Sequence, residues 1–266
     1  MWYNIYMVRL LAVIFATLLL MASSTVVLAQ KPEDPGTSNI PEKNGDYPDP
    51  DHPGVRVRVF VHEAGKPQPT TSNPVLACTD LDSTAVVDPA PWKLPSGTWT
   101  YQLNVNSVPS AVGGGNFQTL ATNAFNSWQG VQNTVTFSRG ADTNANRQSL
   151  DFKNIVSWGR TSGSALAVTY TRYYTATHLV ADVDTIMNQK FAWNWTDPLA
   201  NTCSLYSNTY DAQDILTHEL GHWMGLNDHY TSAYVDNTMF GYGSAGEIKK
   251  DTLTTGDTNG VKAIYP

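Results

Sequence analysis

The stretch THELGHWMGLNDH, residues 217–229, constrains the fold of this 266-residue chain more than any other. His218 and His222 are four residues apart, and residues at that spacing lie on one face of an α-helix, one turn apart. Their imidazoles can therefore bind one ion, and zinc accepts neutral imidazole nitrogen at about 2.0–2.1 Å. Glu219 follows the first histidine directly and lies beside the metal, where it can accept a proton. The pattern predicts a helix that carries a zinc site.

Two histidines leave the predicted zinc site one protein ligand short, since catalytic zinc usually has three. Gly225 tolerates the left-handed conformation that ends a helix and reverses the chain. The residues after it can return beneath the metal, so Asp228 and His229 are both candidates for the third ligand. Asp228 is preferred because it occupies the position that the glycine turn directs at the metal. His229, which needs one more residue of slack, is kept as the alternative.

The segment HELGHWMGLND resembles the zinc motif of metzincin metallopeptidases, and most closely that of the matrixin-type branch. Its aspartate stands where metzincins generally have histidine. In having an aspartate at this spacing, the segment resembles the snapalysin group. Metzincins also have a methionine-bearing turn beneath the zinc, and VDNTMFGYG supplies Met239. Three further segments resemble matrixin elements: PWKLPSGTWTYQLN the first strand, VADVDTIMNQKFAW the edge strand near the substrate, and LTTGDTNGVKAIYP the C-terminal helix. The resemblance extends from about Pro91 to Pro266.

The resemblance implies an α+β domain of the metzincin kind. Such a domain has a mostly parallel twisted sheet, a long backing helix, an active-site helix, a Met-turn and a C-terminal helix. The sequence pattern agrees, because NFQTLATNAFNSWQGV has apolar residues at helical spacing after a cap at Asn116. The active-site helix is predicted to start near Asp211. Thr254 and Asp257 form a weak capping box before the last helix.

The resemblance further implies a zinc-dependent endopeptidase that acts on a protein or peptide substrate. Peptide bonds would be hydrolysed through a zinc-activated water, with Glu219 as general base and Tyr242 as a candidate stabiliser of the transition state. Matrixins bind additional zinc and calcium, so His178 with Asp182 or Asp184 is a weak candidate for a structural metal site. The alternatives are an exported binding or adhesion module with a non-catalytic zinc site, and a hydrolase with one narrow target. The intact Glu219 argues against the non-catalytic site.

The N-terminal region predicts export. Residues 1–29 have one positive charge, an apolar run and small residues before Gln30, which indicates a signal peptide rather than a membrane anchor. The signal peptide predicts a secreted protein that has no stable membrane association after cleavage. Residues 30–74 are rich in proline and acidic residues and predict a linker or short propeptide, with one short strand in VRVRVFVHEAG and solvated histidines at His52 and His62. The catalytic domain is predicted at 75–266.

Composition restricts the partners. The net charge is −7 and no cluster of lysine and arginine occurs, which argues against nucleic acid or an anionic membrane. The chain is expected to be a monomer. Cys78 and Cys203 are the only cysteines, and in an exported protein an even pair predicts a disulfide. Because matrixins are held latent by a propeptide cysteine that ligates zinc, a latency thiol at Cys78 is the alternative.

Overall fold

The computed structural model describes residues 40–65, 81–197 and 208–266. The predicted signal peptide and both cysteines lie outside these described residues, so the signal peptide, the disulfide and the latency thiol stay predictions. No helix within the described ranges is both long and apolar enough to cross a membrane.

The described residues form ten strands and three α-helices. The strands are β1 (Gly45–Pro48), β2 (Val55–Ala64), β3 (Gly97–Leu103), β4 (Val135–Arg139), β5 (Asn154–Gly159), β6 (Ala165–Tyr174), β7 (Val180–Asn188), β8 (Trp193–Asn194), β9 (Tyr210–Asp211) and β10 (Tyr242–Gly243). The helices are α1 (Gly114–Gln129), α2 (Ala212–Trp223) and α3 (Thr255–Ile264).

One mixed sheet organises the fold, with the strand order β1-β2-β6-β7-β5-β3-β4 and with β10 beside the end of β2. The pairings from β7 through β5 and β3 to β4 are parallel, whereas the pairings β1–β2, β2–β6 and β6–β7 are antiparallel. The parallel part and the three helices agree with the predicted fold class. The segment predicted as the edge strand, which contains β7, instead lies inside the sheet between β6 and β5.

Helix α1 is the long backing helix that the apolar spacing predicted. All six of the predicted apolar residues are buried: Phe117, Leu120, Ala121, Ala124, Phe125 and Trp128. The helix begins at Gly114, so the predicted cap at Asn116 is wrong; the Asn116 side chain donates instead to the Val112 carbonyl. Trp128 Nε1 donates to the Thr217 carbonyl of α2 at 2.7 Å, which joins the backing helix to the active-site helix.

Two strands of the sheet, β1 and β2, lie within residues 30–74, so this part of the chain is not a disordered linker, whereas its role as a short propeptide stays a prediction. Strand β2 pairs with β6 from Val55 opposite Tyr174 to Glu63 opposite Ala165. The short strand predicted in VRVRVFVHEAG is thus present, and its apolar side chains are buried because the neighbouring strand supplies a partner surface. His52 is 44% exposed, as expected, but His62 is fully buried, so the expectation of a solvated His62 is wrong.

Candidate metal centre

The active-site helix starts where the sequence predicted, because Asp211 caps it. Its Oδ1 accepts hydrogen bonds from the backbone N–H groups of Gln213 and Asp214, at 2.8 and 3.0 Å. Its Oδ2 accepts one from the N–H of Thr196 at 2.7 Å. The cap satisfies backbone donors that the first turn of a helix leaves free. It also fixes where α2 begins, and hence which residues of the helix face the sheet.

His218 and His222 extend from successive turns of α2 and are both fully buried. Each Nδ1–H donates to a backbone carbonyl, His218 to Thr238 at 2.7 Å and His222 to Leu226 at 2.9 Å. A hydrogen bond of this kind fixes the tautomer and leaves Nε2 as the free lone pair. Both rings therefore present the nitrogen that a metal ion would bind.

The chain returns to these histidines through a glycine turn. Gly225 has φ of +92°, in the left-handed region, as predicted for the residue that ends α2. The turn brings Asp228 Oδ1 to 3.1 Å from His218 Nε2 and 3.4 Å from His222 Nε2. A tetrahedral zinc ion with bonds of about 2.0–2.1 Å separates its ligand atoms by about 3.3 Å. The two distances from Asp228 Oδ1 to the histidine nitrogens therefore fit zinc.

None of these three ligand atoms has a hydrogen-bond partner of acceptable geometry, although all are buried. Burial raises the pKa of the Asp228 carboxyl, but the charge of His222 and the contacts with both histidines outweigh it and hold that pKa well below its usual range. An ionised carboxylate and two oriented imidazoles, converging without hydrogen bonds, form a donor set suited to a divalent cation. His218, His222 and Asp228 thus fit the metal that the motif predicted.

Metal binding at this centre is expected to weaken as the pH falls. Burial lowers the pKa of His222, but the charge of Asp228 outweighs it and raises that pKa above its usual value. His222 of the metal-free protein therefore holds its proton to a higher pH than an ordinary histidine does, and zinc must displace that proton. Below the raised pKa, affinity is expected to fall about tenfold for each pH unit from this proton alone. A zinc competition titration between about pH 6 and 8 measures the slope; equal affinity throughout would contradict this expectation.

His229, the alternative ligand, points away from the histidine pair. Its Nε2 accepts a hydrogen bond from the Asp88 backbone N–H at 3.1 Å, and its ring stacks on Tyr234 with the centroids 3.8 Å apart. Tyr230, which the sequence did not single out, donates instead to Asp228 Oδ2 at 3.2 Å. The sequence signals this contact only by a tyrosine two residues after the carboxylate. The contact itself depends on how the chain folds after Gly225.

Glu219 lies fully buried beside the donor set. Its Oε2 accepts a hydrogen bond from Thr169 Oγ1 of β6 at 2.6 Å, and its Oε1 is 3.3 Å from His62 Nδ1. Burial raises the pKa of Glu219, but the contact with His62 and the charges of His222 and His218 outweigh it, so the pKa lies below its usual value. Glu219 is therefore ionised at neutral pH, which is the state that accepts a proton.

Met239 is buried beneath α2, close against Gly221. A Cβ added to Gly221 would meet Met239 Sδ at 2.1 Å, so only glycine permits this approach of the two segments. Asp257, predicted only as a helix-start residue, fixes the Met239 segment from below. Its carboxylate accepts hydrogen bonds from the N–H groups of Thr238 (2.9 Å), Met239 (3.3 Å) and Thr254 (3.0 Å).

Replacing Asp257 by alanine is expected to lower the free energy of unfolding by about 3–5 kcal/mol, since it leaves several buried donors without partners. Urea unfolding measures the loss. Thr255→Ala is the matched control, because Thr255 Oγ1 donates to Asp82 at the surface and the loss of this bond is expected to cost about 1 kcal/mol or less. Equal losses in the two variants would contradict the role of Asp257.

Tyr242 and His178 are both exposed, and the candidate role of Tyr242 stays a prediction. Tyr242 is 40% exposed, and its ring lies against Tyr230 and Phe240. His178 is exposed, and its Nδ1 donates to the Pro91 carbonyl at 2.9 Å.

The carboxylates proposed to accompany His178 face a different partner. Asp182 and Asp184 each lie 3.6 Å from Arg172 Nη1. The described residues therefore do not assemble the predicted second metal site. The groups of potential metal ligands found among them are His218 with His222 and Asp228, and His62 with His218 and Glu219.

Comparison with known proteins agrees with this geometry. A family model for matrixin peptidases matches residues 92–266, which is more than half of the chain. The chain therefore belongs to the matrixin family, whose members are zinc-dependent metallopeptidases that act on proteins or peptides. No curated protein matches the chain significantly. Strands β1 and β2 precede the matched region.

Proposed function

We propose that this protein is a secreted zinc endopeptidase in which His218, His222 and Asp228 hold zinc and Glu219 is the general base. One observation carries the proposal: the buried Asp228 Oδ1 lies 3.1 and 3.4 Å from the buried Nε2 atoms of His218 and His222, directly beside an ionised carboxylate. Met239, packed beneath the active-site helix, supports the centre from below in this proposal.

Zinc, when bound, supplies Lewis-acid chemistry that polarises a carbonyl and makes water more acidic. Glu219 takes the proton from the attacking water and passes it to the leaving amine. Thr169 holds the other carboxylate oxygen of Glu219, which fixes the direction of the free one. Asp228 remains ionised throughout and neutralises part of the ion's charge.

The proposal is tested by counting zinc and measuring hydrolysis. Zinc per chain is measured by mass spectrometry, and cleavage is followed on labelled casein and on a random peptide library, with and without 1,10-phenanthroline. Because β2 covers Glu219, the assay includes the variant Arg58→Pro, in which proline removes a backbone donor of β2 and weakens the cover. Hydrolysis that stops on chelation is expected.

Two other results would each exclude the proposal. A protein that binds no zinc would remove its basis. Bound zinc without hydrolysis of any substrate, in either protein, would favour the exported binding or adhesion module or the hydrolase with one narrow target.

Export and the cysteine pair are proposed together with this function. N-terminal sequencing of the secreted protein is expected to begin at Gln30. The mass of the non-reduced protein is expected to be two hydrogens lower than that of the reduced one if Cys78 and Cys203 are joined. A free thiol at Cys78 would instead support the latency alternative.

A further inference from the structure

The general base is closed off by aromatic rings of strand β2. The Phe60 ring stacks on His222 with the centroids 3.8 Å apart, and the His62 ring centroid is 3.9 Å from that of His218. His62 Nδ1 also lies 3.3 Å from Glu219 Oε1. Glu219 is fully buried while these two rings are in place.

Strand β2 occupies a position that suits an extended peptide. It runs antiparallel along the edge of β6, and its end, Glu63–Ala64, is parallel to β10 on the other side. An extended peptide that adds to the edge of a sheet makes this kind of main-chain contact. With β2 absent, β6 would present its free backbone edge directly beside Thr169 and Glu219.

Polar contacts of the preceding residues hold β2 in this position. Asn44 Oδ1 accepts a hydrogen bond from the Val61 N–H at 2.9 Å. Asp46 accepts bonds from Arg56 Nε at 2.9 Å and from the Tyr173 hydroxyl at 2.7 Å. These contacts join β1 and the residues before it to β2, and join β1 to β6. Strand β2 is therefore held by its neighbours as well as by its contacts at the metal centre.

His62 is one of the buried polar side chains of the described residues that lack hydrogen-bond partners. Both its ring nitrogens are buried without a hydrogen-bond partner of acceptable geometry. A buried polar ring without partners is costly. A purely structural role would favour an apolar side chain at this position. The groups that His62 faces are Glu219 and His218, which indicates that its role concerns the metal centre.

We infer that β2 is a built-in occupant of the peptide-binding cleft, with Phe60 and His62 covering the metal centre, and that substrate enters only when β2 leaves β6. This inference rests on the proposed function. It also assigns the cover to a strand of this chain, without requiring a thiol at Cys78. Activity then follows the fraction of molecules in which β2 has left, so weakening β2 raises activity.

Arg58 offers a substitution that loosens β2 without removing a buried side chain. Because Val61 turns its N–H away from β6 to Asn44, the alternate residues Arg58, Phe60 and His62 turn theirs toward β6. Arg58 lies opposite Thr171, and its side chain is only partly buried. Arg58→Pro removes one donor to β6, whereas the control Arg58→Ala retains it.

The test compares the full-length wild type, Arg58→Pro, Arg58→Ala and Asn44→Ala, each loaded with cobalt(II). Access to the metal is measured from the change in cobalt absorption on titration with acetohydroxamate, and hydrolysis is measured on labelled casein with the zinc-loaded proteins. In Arg58→Pro, hydroxamate affinity and the hydrolysis rate are each expected to rise at least about tenfold. Asn44→Ala is expected to give a smaller rise, and Arg58→Ala to stay within about threefold of wild type.

Several results would overturn the inference. Hydroxamate that binds all four proteins equally well would show that the metal is already accessible. A hydrolysis rate that does not rise in Asn44→Ala would also overturn the inference. Because Asn44→Ala is a surface substitution expected to leave the fold intact, this result would hold even if Arg58→Pro did not fold. In both cases bound cobalt and measurable hydrolysis would leave the proposed function standing, whereas absence of metal from all four proteins would instead remove the proposed function.

Discussion

Replacing Glu219 by glutamine is expected to lower kcat/KM for casein by about 10²–10⁴-fold, the usual contribution of a general base. Glutamine has nearly the same shape and can still accept the hydrogen bond from Thr169, but it cannot take a proton from water. Zinc content is expected to stay near that of the parent, because Glu219 is not among the three proposed ligands. The comparison is made in the Arg58→Pro background, where the cover over the centre is weakened.

The matched control for this variant is Asp88→Asn, which removes a carboxylate that is 76% exposed at its side chain and lies near His229. Its kcat/KM is expected to stay within about threefold of the parent, since exposed charges contribute little. Full hydrolysis by Glu219→Gln would exclude Glu219 as the base. Loss of zinc from Glu219→Gln would mean that Glu219 contributes to zinc binding rather than to proton transfer.

Replacing Asp228 by alanine is expected to lower zinc affinity by more than about a hundredfold, since even an outer partner of a ligand is commonly worth 10–100-fold. The variant removes the one anionic donor and leaves two imidazoles. Tyr230→Phe, which removes the hydrogen bond to Asp228 Oδ2, is expected to cost about tenfold. Competition with a chromophoric chelator at fixed pH measures all three affinities, including that of the wild type.

The adjacent His229 provides the control for Asp228. His229→Ala is expected to change zinc affinity by no more than about threefold, because its ring contacts Tyr234 and the Asp88 backbone. The two residues were the competing ligand candidates in the sequence, so the pair of variants decides between them. A larger loss of zinc from His229→Ala than from Asp228→Ala would reverse the assignment.

The parts of the centre that sequence could predict are those set by local geometry. The four-residue spacing of His218 and His222 on a helix places their rings together whatever the rest of the fold does. Gly225 was identifiable because few other residues adopt its backbone conformation readily. The capping box of Thr254 and Asp257 is likewise local, and it is present in the structure.

The parts that sequence missed depend on residues far apart in the chain. β2 was predicted only as a short strand within a linker or short propeptide, because prolines and acidic residues dominate the composition around it, whereas its burial depends on β6, more than a hundred residues later. His62 appeared solvated for the same reason. Asp257 was identified as a helix-start residue, but its bonds to the Thr238 and Met239 backbones arise only when α3 packs beneath the loop.

These bonds make the metal centre dependent on the end of the chain. Asp257 binds the Thr238 N–H, and the Thr238 carbonyl in turn orients the His218 ring. During synthesis, the histidines leave the ribosome well before α3 does, and until then this orientation is incomplete. A chain that lacks α3 therefore lacks the contact that fixes the Thr238 segment and, through the Thr238 carbonyl, the orientation of the His218 ring.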